Sequence, residues 1–233
     1  MIVRPVHNAL QLITQPDHAH LAARIIEHAR PLAMHPRRDA ILLAVAEHDN
    51  GWTEEDADPI LNPATGFVAD FVNVPLAIRH RVWPRAIQRL EEHPWTAALV
   101  AEHAVVVYDR FRSEPEWDPF FSGMESARDR MLQASGLPFE TLVADYEFLR
   151  LADLISLVFC MSSTLPQHFA RWSVQLVGDR VNVTPNPFGK GTLPIQVDAR
   201  AIRNTPFQSD DELRAALRDA ATVVVAGTVS GAP

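Results

Sequence analysis

The sequence lacks three features that would otherwise point to particular classes of protein. Cys160 is the only cysteine among 233 residues, which excludes an internal disulfide and favours a reducing compartment. The 21 basic residues are outnumbered by 29 acidic ones, and the net charge of −8 argues against a nucleic-acid surface. No apolar run approaches the roughly 20 residues of a membrane helix, and the opening residues MIVRPVHNAL lack a signal-peptide pattern. We therefore expect a soluble, cytoplasmic protein that acts on a small molecule rather than on nucleic acid or a membrane.

Helix-forming sequence lies between two β-prone ends. Ala, Leu, Arg and Glu dominate residues 16–171, which predicts helices near 15–30, 37–50, 75–82, 84–92, 94–111, 122–135 and 138–161. Short β-prone runs occur at 2–6, 9–14, 173–177, 180–184, 193–197 and 222–225, with one more helix predicted from 209 to 221. The fold class expected is mainly α, with a small antiparallel sheet formed from the N-terminal hairpin and the C-terminal strands. Residues 1–171 would form the helical domain, and residues 172–233 a β/α segment packed on the same core.

One segment between the predicted helices is unusually long for a connection. Residues 52–74 contain Pro59, Pro63 and Gly66, which favour a loop. Loops of this length inside a compact domain are usually lids or binding loops. We expect this one to contribute to a functional site.

Ten histidines are the main chemical signal in the sequence, and helical spacing sorts them. His18 shares a helix face with Leu21, Ala22 and Ile25, so it should point into the core, whereas the neighbouring His20 lies on a polar face. A buried histidine is either a hydrogen-bonded core residue or a metal ligand. Both interpretations of His18 remain open at this point.

Two further places bring ligand-type side chains towards the core. His48 and Asp49 follow the apolar run at 41–46, and Gly51 is expected to end that helix, so the adjacent pair can converge on one ion. Asp153 is surrounded by apolar residues on its helix, and a buried carboxylate must be paired, protonated or bound to a metal. A salt bridge to an arginine is the alternative, and the inward-pointing histidines favour a metal.

The order of these residues resembles the HD-domain superfamily of metal-dependent phosphohydrolases. A first histidine, His18, precedes the pair His48-Asp49 and a final aspartate, Asp153, on a later helix. His80 and His103 lie between the pair and the last aspartate, an order that resembles the dinuclear members. The phrases Gln15-Pro16-Asp17-His18 and His48-Asp49-Asn50-Gly51-Trp52 resemble a functionally uncharacterised branch of the superfamily.

This resemblance implies an HD-like helical bundle over roughly residues 14–165. It also implies one or two divalent ions (Fe, Mn, Zn or Ni) held by His18, His48, Asp49, Asp153, His80 and His103. Asp49 would bridge the two ions and take a direct part in catalysis. Taken singly, His80 and His103 are more typical of core or capping histidines.

Three functions fit this site, and they belong to different classes. The first is a metal-dependent phosphohydrolase acting on a small phosphate ester or a nucleotide-like substrate. The second uses iron in the same ligands to oxidise a small organic molecule. The third is a non-catalytic helical module that binds a ligand. Arg79 and Arg81 are either phosphate-orienting residues or surface charges, and the oligomeric state is left open.

Overall fold

The computed structural model describes residues 1–231. About 52% of the chain is helical and 21% is in strands, and the strands form one curled, mixed sheet of seven that resembles half a barrel. The prediction of a mainly α bundle with a small antiparallel sheet is therefore wrong. Within residues 1–231, no helix combines the length and the apolar character that a membrane crossing requires.

Eight of the helices lie between the N-terminal hairpin and the C-terminal strands. They are α1 (Gln15–Ile26), α2 (Arg30–Ala33), α3 (Arg38–Glu47), α4 (Thr53–Ala57), α5 (Leu76–Arg89), α6 (Pro94–Tyr108), α7 (Asp118–Ser135) and α8 (Phe139–Cys160). Thr14 caps α1, because its hydroxyl oxygen accepts a hydrogen bond from the Asp17 amide at 3.1 Å. The predicted interruption at Pro84 is wrong: α5 continues through it, because its buried face extends from Ile78 to Ile87.

The sheet joins both ends of the chain. Its strands are β1 (Ile2–Val6), β2 (Ala9–Ile13), β3 (Gln167–Phe169), β4 (Trp172–Val177), β5 (Arg180–Thr184), β6 (Thr192–Arg203) and β7 (Ala221–Gly231). Their order is β1-β2-β6-β7-β5-β4-β3, and every neighbouring pair is antiparallel except β5 and β7. A ninth helix, α9 (Asp210–Asp219), connects β6 to β7.

The inner face of the sheet packs against the helices. α8 contacts β3, β4 and β5, while α1 contacts β6, and one apolar core extends from Ile2 to Val229. Around the C-terminal helix, Leu213 of α9 packs with Leu10 and Leu12 in a smaller cluster. Four helices then meet inside the molecule, since α1 packs on α3 and α8, and α6 packs on the same two. The candidate site lies where these four helices meet.

Candidate metal centre

Five of the six predicted ligands lie together at this meeting point. His18 comes from α1, His48 and Asp49 from the end of α3, His103 from α6 and Asp153 from α8. None of the five is more than 6% exposed. Their ligand atoms form two overlapping groups that could hold a metal ion: His18 with His48 and Asp49, and His48 with His103 and Asp153.

The orientation of the His48 ring is set by the helix that precedes it. Its Nδ1 lies 2.7 Å from the Val45 carbonyl oxygen, an acceptor, so Nδ1 carries the proton. In the neutral ring Nε2 then has a free lone pair. This Nε2 is buried and has no hydrogen-bond partner among the described residues. It faces the Oδ2 of Asp49 at 3.4 Å and the Oδ1 of Asp153 at 3.7 Å.

The His18 ring is oriented in the same way from the opposite side. The Ser156 hydroxyl donates to the His18 carbonyl oxygen at 2.9 Å, so its oxygen must accept from Nδ1 of the ring at 2.7 Å. The neutral ring again presents an unprotonated Nε2 to the centre. That nitrogen lies 3.2 Å from the Oδ1 of Asp153 and 3.7 Å from the Oδ2 of Asp49.

These four atoms, which we call the ligand quartet, have the spacing of ligands around one ion. They are Nε2 of His18, Nε2 of His48, Oδ2 of Asp49 and Oδ1 of Asp153. Two ligands about 2.1 Å from an ion lie about 3.0 Å apart at a right angle and about 3.4 Å apart at a tetrahedral angle. The four nitrogen–oxygen distances in the quartet run from 3.2 to 3.7 Å, close to these values. Two imidazoles and two carboxylates suit Zn, Fe, Mn or Ni, so the residues present fit a divalent ion.

The two carboxylates have different surroundings. Asp153 accepts a hydrogen bond from Arg150 at 2.6 Å through Oδ2, so its salt bridge and its place in the quartet use different oxygens. Although burial opposes ionisation, the neighbouring His18 and His48, together with the positive charge of Arg150, hold the pKa of Asp153 well below its usual value. Asp49 accepts no hydrogen bond within the described part of the chain, and burial raises its pKa despite the nearby histidines. The negative charge of Asp49 is therefore less well compensated by neighbouring groups than that of Asp153.

The two carboxylates also change the pKa of His48. Burial lowers its pKa, but the negative charges of Asp49 and Asp153 outweigh that effect and raise it to about 9. A position that attracts a proton this strongly also attracts a metal cation. An ion and the proton would compete for the same nitrogen.

His103 lies beside the quartet rather than inside it. Its Nε2 is 3.8 Å from the Oδ2 of Asp153, and its Nδ1 is 3.1 Å from the Tyr146 hydroxyl. Burial keeps the pKa of His103 well below its usual value, so the ring is neutral. The group that contains His103 shares His48 with the quartet, and His48 has one free nitrogen. The two groups therefore describe one ion site with His103 at its margin, not two separate sites.

The remaining predicted ligand, His80, lies away from this cluster. Its ring stacks on Phe120 and meets the edge of Trp117, with centroid distances of 5.2 and 4.9 Å. It belongs to neither of the groups that could hold an ion. Its position gives no support to a second ion held by His80 and His103.

Three further side chains support the centre, and their roles were not predicted from the sequence; all three belong to α8. Tyr146, Arg150 and Ser156 contact His103, Asp153 and His18 respectively. Tyr146 lies seven residues before Asp153, Arg150 three residues before it and Ser156 three residues after it. These spacings place all three on the same face of the helix as Asp153. Helical spacing around Asp153 was the signal that could have identified them.

A cavity of about 290 Å³ borders the centre. Asp49, His103 and Asp153 form its inner wall. Other lining residues are Gln15, Trp52, Phe71, Val72, Arg79, Trp83, Val106, Val107, Tyr108, Arg110, Arg150 and Leu157. Phe71 and Val72 belong to the segment 52–74, which therefore contributes to the site as its length suggests. The centre is buried but reachable by a small molecule.

Comparison with known proteins places the chain in a family. The family described as protein of unknown function (DUF3891) matches residues 1–204, which include all five residues of the centre. The chain belongs to this family. The DUF3891 match ends one residue after β6, so α9 and β7 lie outside it. No curated protein and no solved structure matches the chain. The DUF3891 description names no activity, and the relationship to the HD-domain superfamily stays a prediction.

Proposed function

We propose that this DUF3891 protein is a metal-dependent phosphohydrolase of HD type that acts on a small phosphate ester in the cytoplasm. One observation carries the proposal: the nitrogen and oxygen atoms of the ligand quartet face one another at 3.2 to 3.7 Å beside a cavity, and each imidazole uses Nδ1 in a hydrogen bond to the protein, which leaves its Nε2 for an ion. Lone pairs that face one another repel unless a proton or a cation lies between them. We propose one divalent ion rather than two, since His80 lies elsewhere and His48 has one free nitrogen.

The ion and the protein would contribute different parts of the chemistry. A bound divalent ion lowers the pKa of a water ligand towards neutrality and neutralises charge on phosphoryl oxygens. Asp49 lines the cavity, and its Oδ2 faces the histidines, which leaves Oδ1 to accept a proton from a water or a substrate. Burial raises the pKa of Asp49, which makes its carboxylate a stronger base than an exposed aspartate. Ser156 and the Val45 carbonyl hold the two imidazoles in the tautomer that exposes Nε2.

Metal analysis of matched histidine variants tests this proposal. His48→Ala removes one quartet nitrogen, whereas His20→Ala removes an exposed imidazole from the adjoining helix α1. We expect about one divalent ion per chain in the wild type and in His20→Ala, but only traces in His48→Ala, because His48 supplies an irreplaceable ligand. Far-UV circular dichroism checks that both variants fold, and Asp49→Asn provides a second, nearly isosteric test.

Activity is then measured on the metal-loaded wild type. Release of inorganic phosphate from a panel of phosphate esters, lost in Asp49→Asn, is the expected result. Iron with a visible absorption band, together with no phosphate release, would favour oxidation of an organic substrate instead. If the wild type neither copurifies with nor rebinds a divalent ion, both enzymatic interpretations fail.

A further inference from the structure

We infer that the cavity beside the metal centre binds phosphate monoesters of a small apolar or aromatic alcohol, with Arg79 and Arg150 binding the phosphate and the aromatic wall holding the organic group. This inference rests on the proposed function, because it names the substrate class for the same site. It is carried by the lining of the cavity, whose charged and apolar residues have separate roles.

Arg79 is the arginine of α5 that reaches this cavity. One guanidinium nitrogen donates to the Val72 carbonyl, and Nε is buried without a partner among the described residues. This contact does not involve a carboxylate, and Arg79 forms no salt bridge within residues 1–231, so no ion pair among them neutralises its positive charge. A guanidinium with donors to spare next to a metal centre is suited to a phosphate group.

Arg81 provides the contrast, although it is only two residues away on the same helix. It forms a two-pronged salt bridge with Glu55 at 2.9 and 2.5 Å. It lines a different cavity, whose wall includes the acidic residues Glu54, Asp56 and Asp58. Of the two arginines that the sequence offered for binding phosphate, the fold directs only Arg79 to the centre.

The charges around the cavity favour an anion. Arg79, Arg110 and Arg150 line it together with the carboxylates of Asp49 and Asp153. Arg150 donates to Asp153 through one guanidinium nitrogen, and its other N–H groups can donate to a ligand. With a divalent ion bound to the two carboxylates, the positive charges of the ion and the three arginines would exceed the two negative charges of the aspartates. A phosphate dianion compensates that excess better than a neutral or cationic group does.

Apart from Gln15, the rest of the wall is apolar and largely aromatic. It is formed by the side chains of Trp52, Phe71, Trp83, Val106, Val107, Tyr108 and Leu157. Such a surface binds a flat or branched hydrocarbon group through burial of apolar area. The volume of about 290 Å³ lies at the small end of ligand pockets, which limits the organic group to about the size of one ring.

Phosphonates test this inference without turnover, because their P–C bond is not an ester. Calorimetric titration compares phenylphosphonate, methylphosphonate and benzyl alcohol, with the protein both loaded with Mn²⁺ and metal-free. We expect phenylphosphonate to bind about tenfold or more tightly than methylphosphonate, because only its ring fills the apolar wall. Benzyl alcohol, which has the ring without the charge, should bind too weakly to measure.

Matched variants separate the two parts of the cavity. Arg79→Gln should weaken phenylphosphonate about tenfold to a hundredfold in both metal states, while Arg81→Gln should change it less than about twofold. Phe71→Ala should reduce the advantage of phenylphosphonate over methylphosphonate and leave methylphosphonate binding unchanged. Circular dichroism confirms that each variant is folded.

The outcomes distinguish this inference from the proposed function. Equal affinities for phenylphosphonate and methylphosphonate, or equal effects of Arg79→Gln and Arg81→Gln, would overturn the inference even if phosphate esters are hydrolysed. Tight phenylphosphonate binding that depends on Arg79, without hydrolysis of phenyl phosphate, would instead support the binding site and refute the phosphohydrolase.

Discussion

Gly51→Ala is the sharpest single test of how the fold positions the metal centre. Gly51 follows Asp49 by two residues, and the turn at Asn50–Trp52 lies directly against α5. An added Cβ would lie 1.9 Å from the Val82 carbonyl oxygen and 3.1 Å from the Ala86 nitrogen. Both are backbone atoms of a helix, so they cannot rotate away from the new methyl group.

The magnitude follows from that distance. The Cβ–oxygen contact falls about 1.5 Å short of ordinary van der Waals separation, so the turn and α5 must move apart by about that much. Arg85 donates to the Gly51 carbonyl at 2.9 Å, and Arg89 donates to the Asn50 carbonyl, so the movement strains both bonds. Overpacking of a rigid interior costs about 1–3 kcal/mol, and the loss of charge-assisted hydrogen bonds increases it. We expect the free energy of unfolding to fall by about 3 kcal/mol.

Metal affinity provides the second readout, because displacing the turn also displaces Asp49. A ligand displaced by about 1 Å leaves a site with the right residues but too loose a geometry. We expect Gly51→Ala to bind Zn²⁺ or Mn²⁺ about tenfold to a hundredfold more weakly than the wild type. Denaturant unfolding of the metal-free protein and calorimetric metal titration measure the two effects separately.

Gly123→Ala is the matched control, since Gly123 lies inside α7 and an added Cβ there meets no atom within 4 Å. A helical glycine replaced by alanine in open space should stabilise the protein by about 0.5–1 kcal/mol and leave metal binding unchanged. If Gly51→Ala unfolds at the wild-type denaturant concentration and binds metal normally, the close packing of this turn on α5 is refuted.

Two other predictions concern the metal centre. Ser156→Ala removes the partner that orients His18, so metal affinity should fall about tenfold to a hundredfold in calorimetric titration; Ser135→Ala, at the end of α7, should have no such effect. Chelation of a metal held at a hundred times its dissociation constant removes about 2.7 kcal/mol of stabilisation. The melting temperature of the wild type should therefore fall by about 5–10 °C on chelation in differential scanning calorimetry. If the chelator does not change the melting temperature of His48→Ala, the stabilising metal binds at the quartet.

The helices were largely predictable, but the sheet was not. Local signals such as the Thr14 cap mark where helices begin, and they depend on residues a few positions apart. β6 and β7 are 12 and 11 residues long, whereas the sequence suggested only short strands in these regions. Their extra length comes from pairing with each other and with β2 and β5, which lie far away in the sequence. Non-local pairing of this kind leaves a weak signal in any single strand.

The candidate site was more predictable than the fold, because it depends on helix faces. The inward direction of His18, His103 and Asp153 follows from apolar neighbours at helical spacing, and the structure brings these residues together. His80 also has apolar neighbours, but its face of α5 meets Trp117 and Phe120 instead. Periodicity indicates which side chains point inward, and only tertiary packing decides which of them meet.

Gly51 is structurally important, as the sequence suggests, but for a different reason from the one that the sequence suggests. The sequence suggests a glycine that ends α3, but its backbone does not adopt the left-handed conformation typical of such a cap. The helix ends at Glu47, and the glycine is required four residues later by the close approach of Val82. The constraint comes from α5, which no local pattern around residue 51 reveals.

The charges of the centre support the proposed ion, because a single proton would balance them less well. Arg150 compensates Asp153, which leaves one negative charge, on Asp49, for the remaining groups to balance. A proton on His48 supplies the missing charge, but its distances of 3.4 and 3.7 Å to the carboxylates make no hydrogen bond. It would also leave the unprotonated Nε2 of His18 facing the oxygens of Asp49 and Asp153. A divalent ion would be able to bond to both nitrogens and both oxygens at once, so it would satisfy every atom of the quartet, whereas a single proton would satisfy none of them fully.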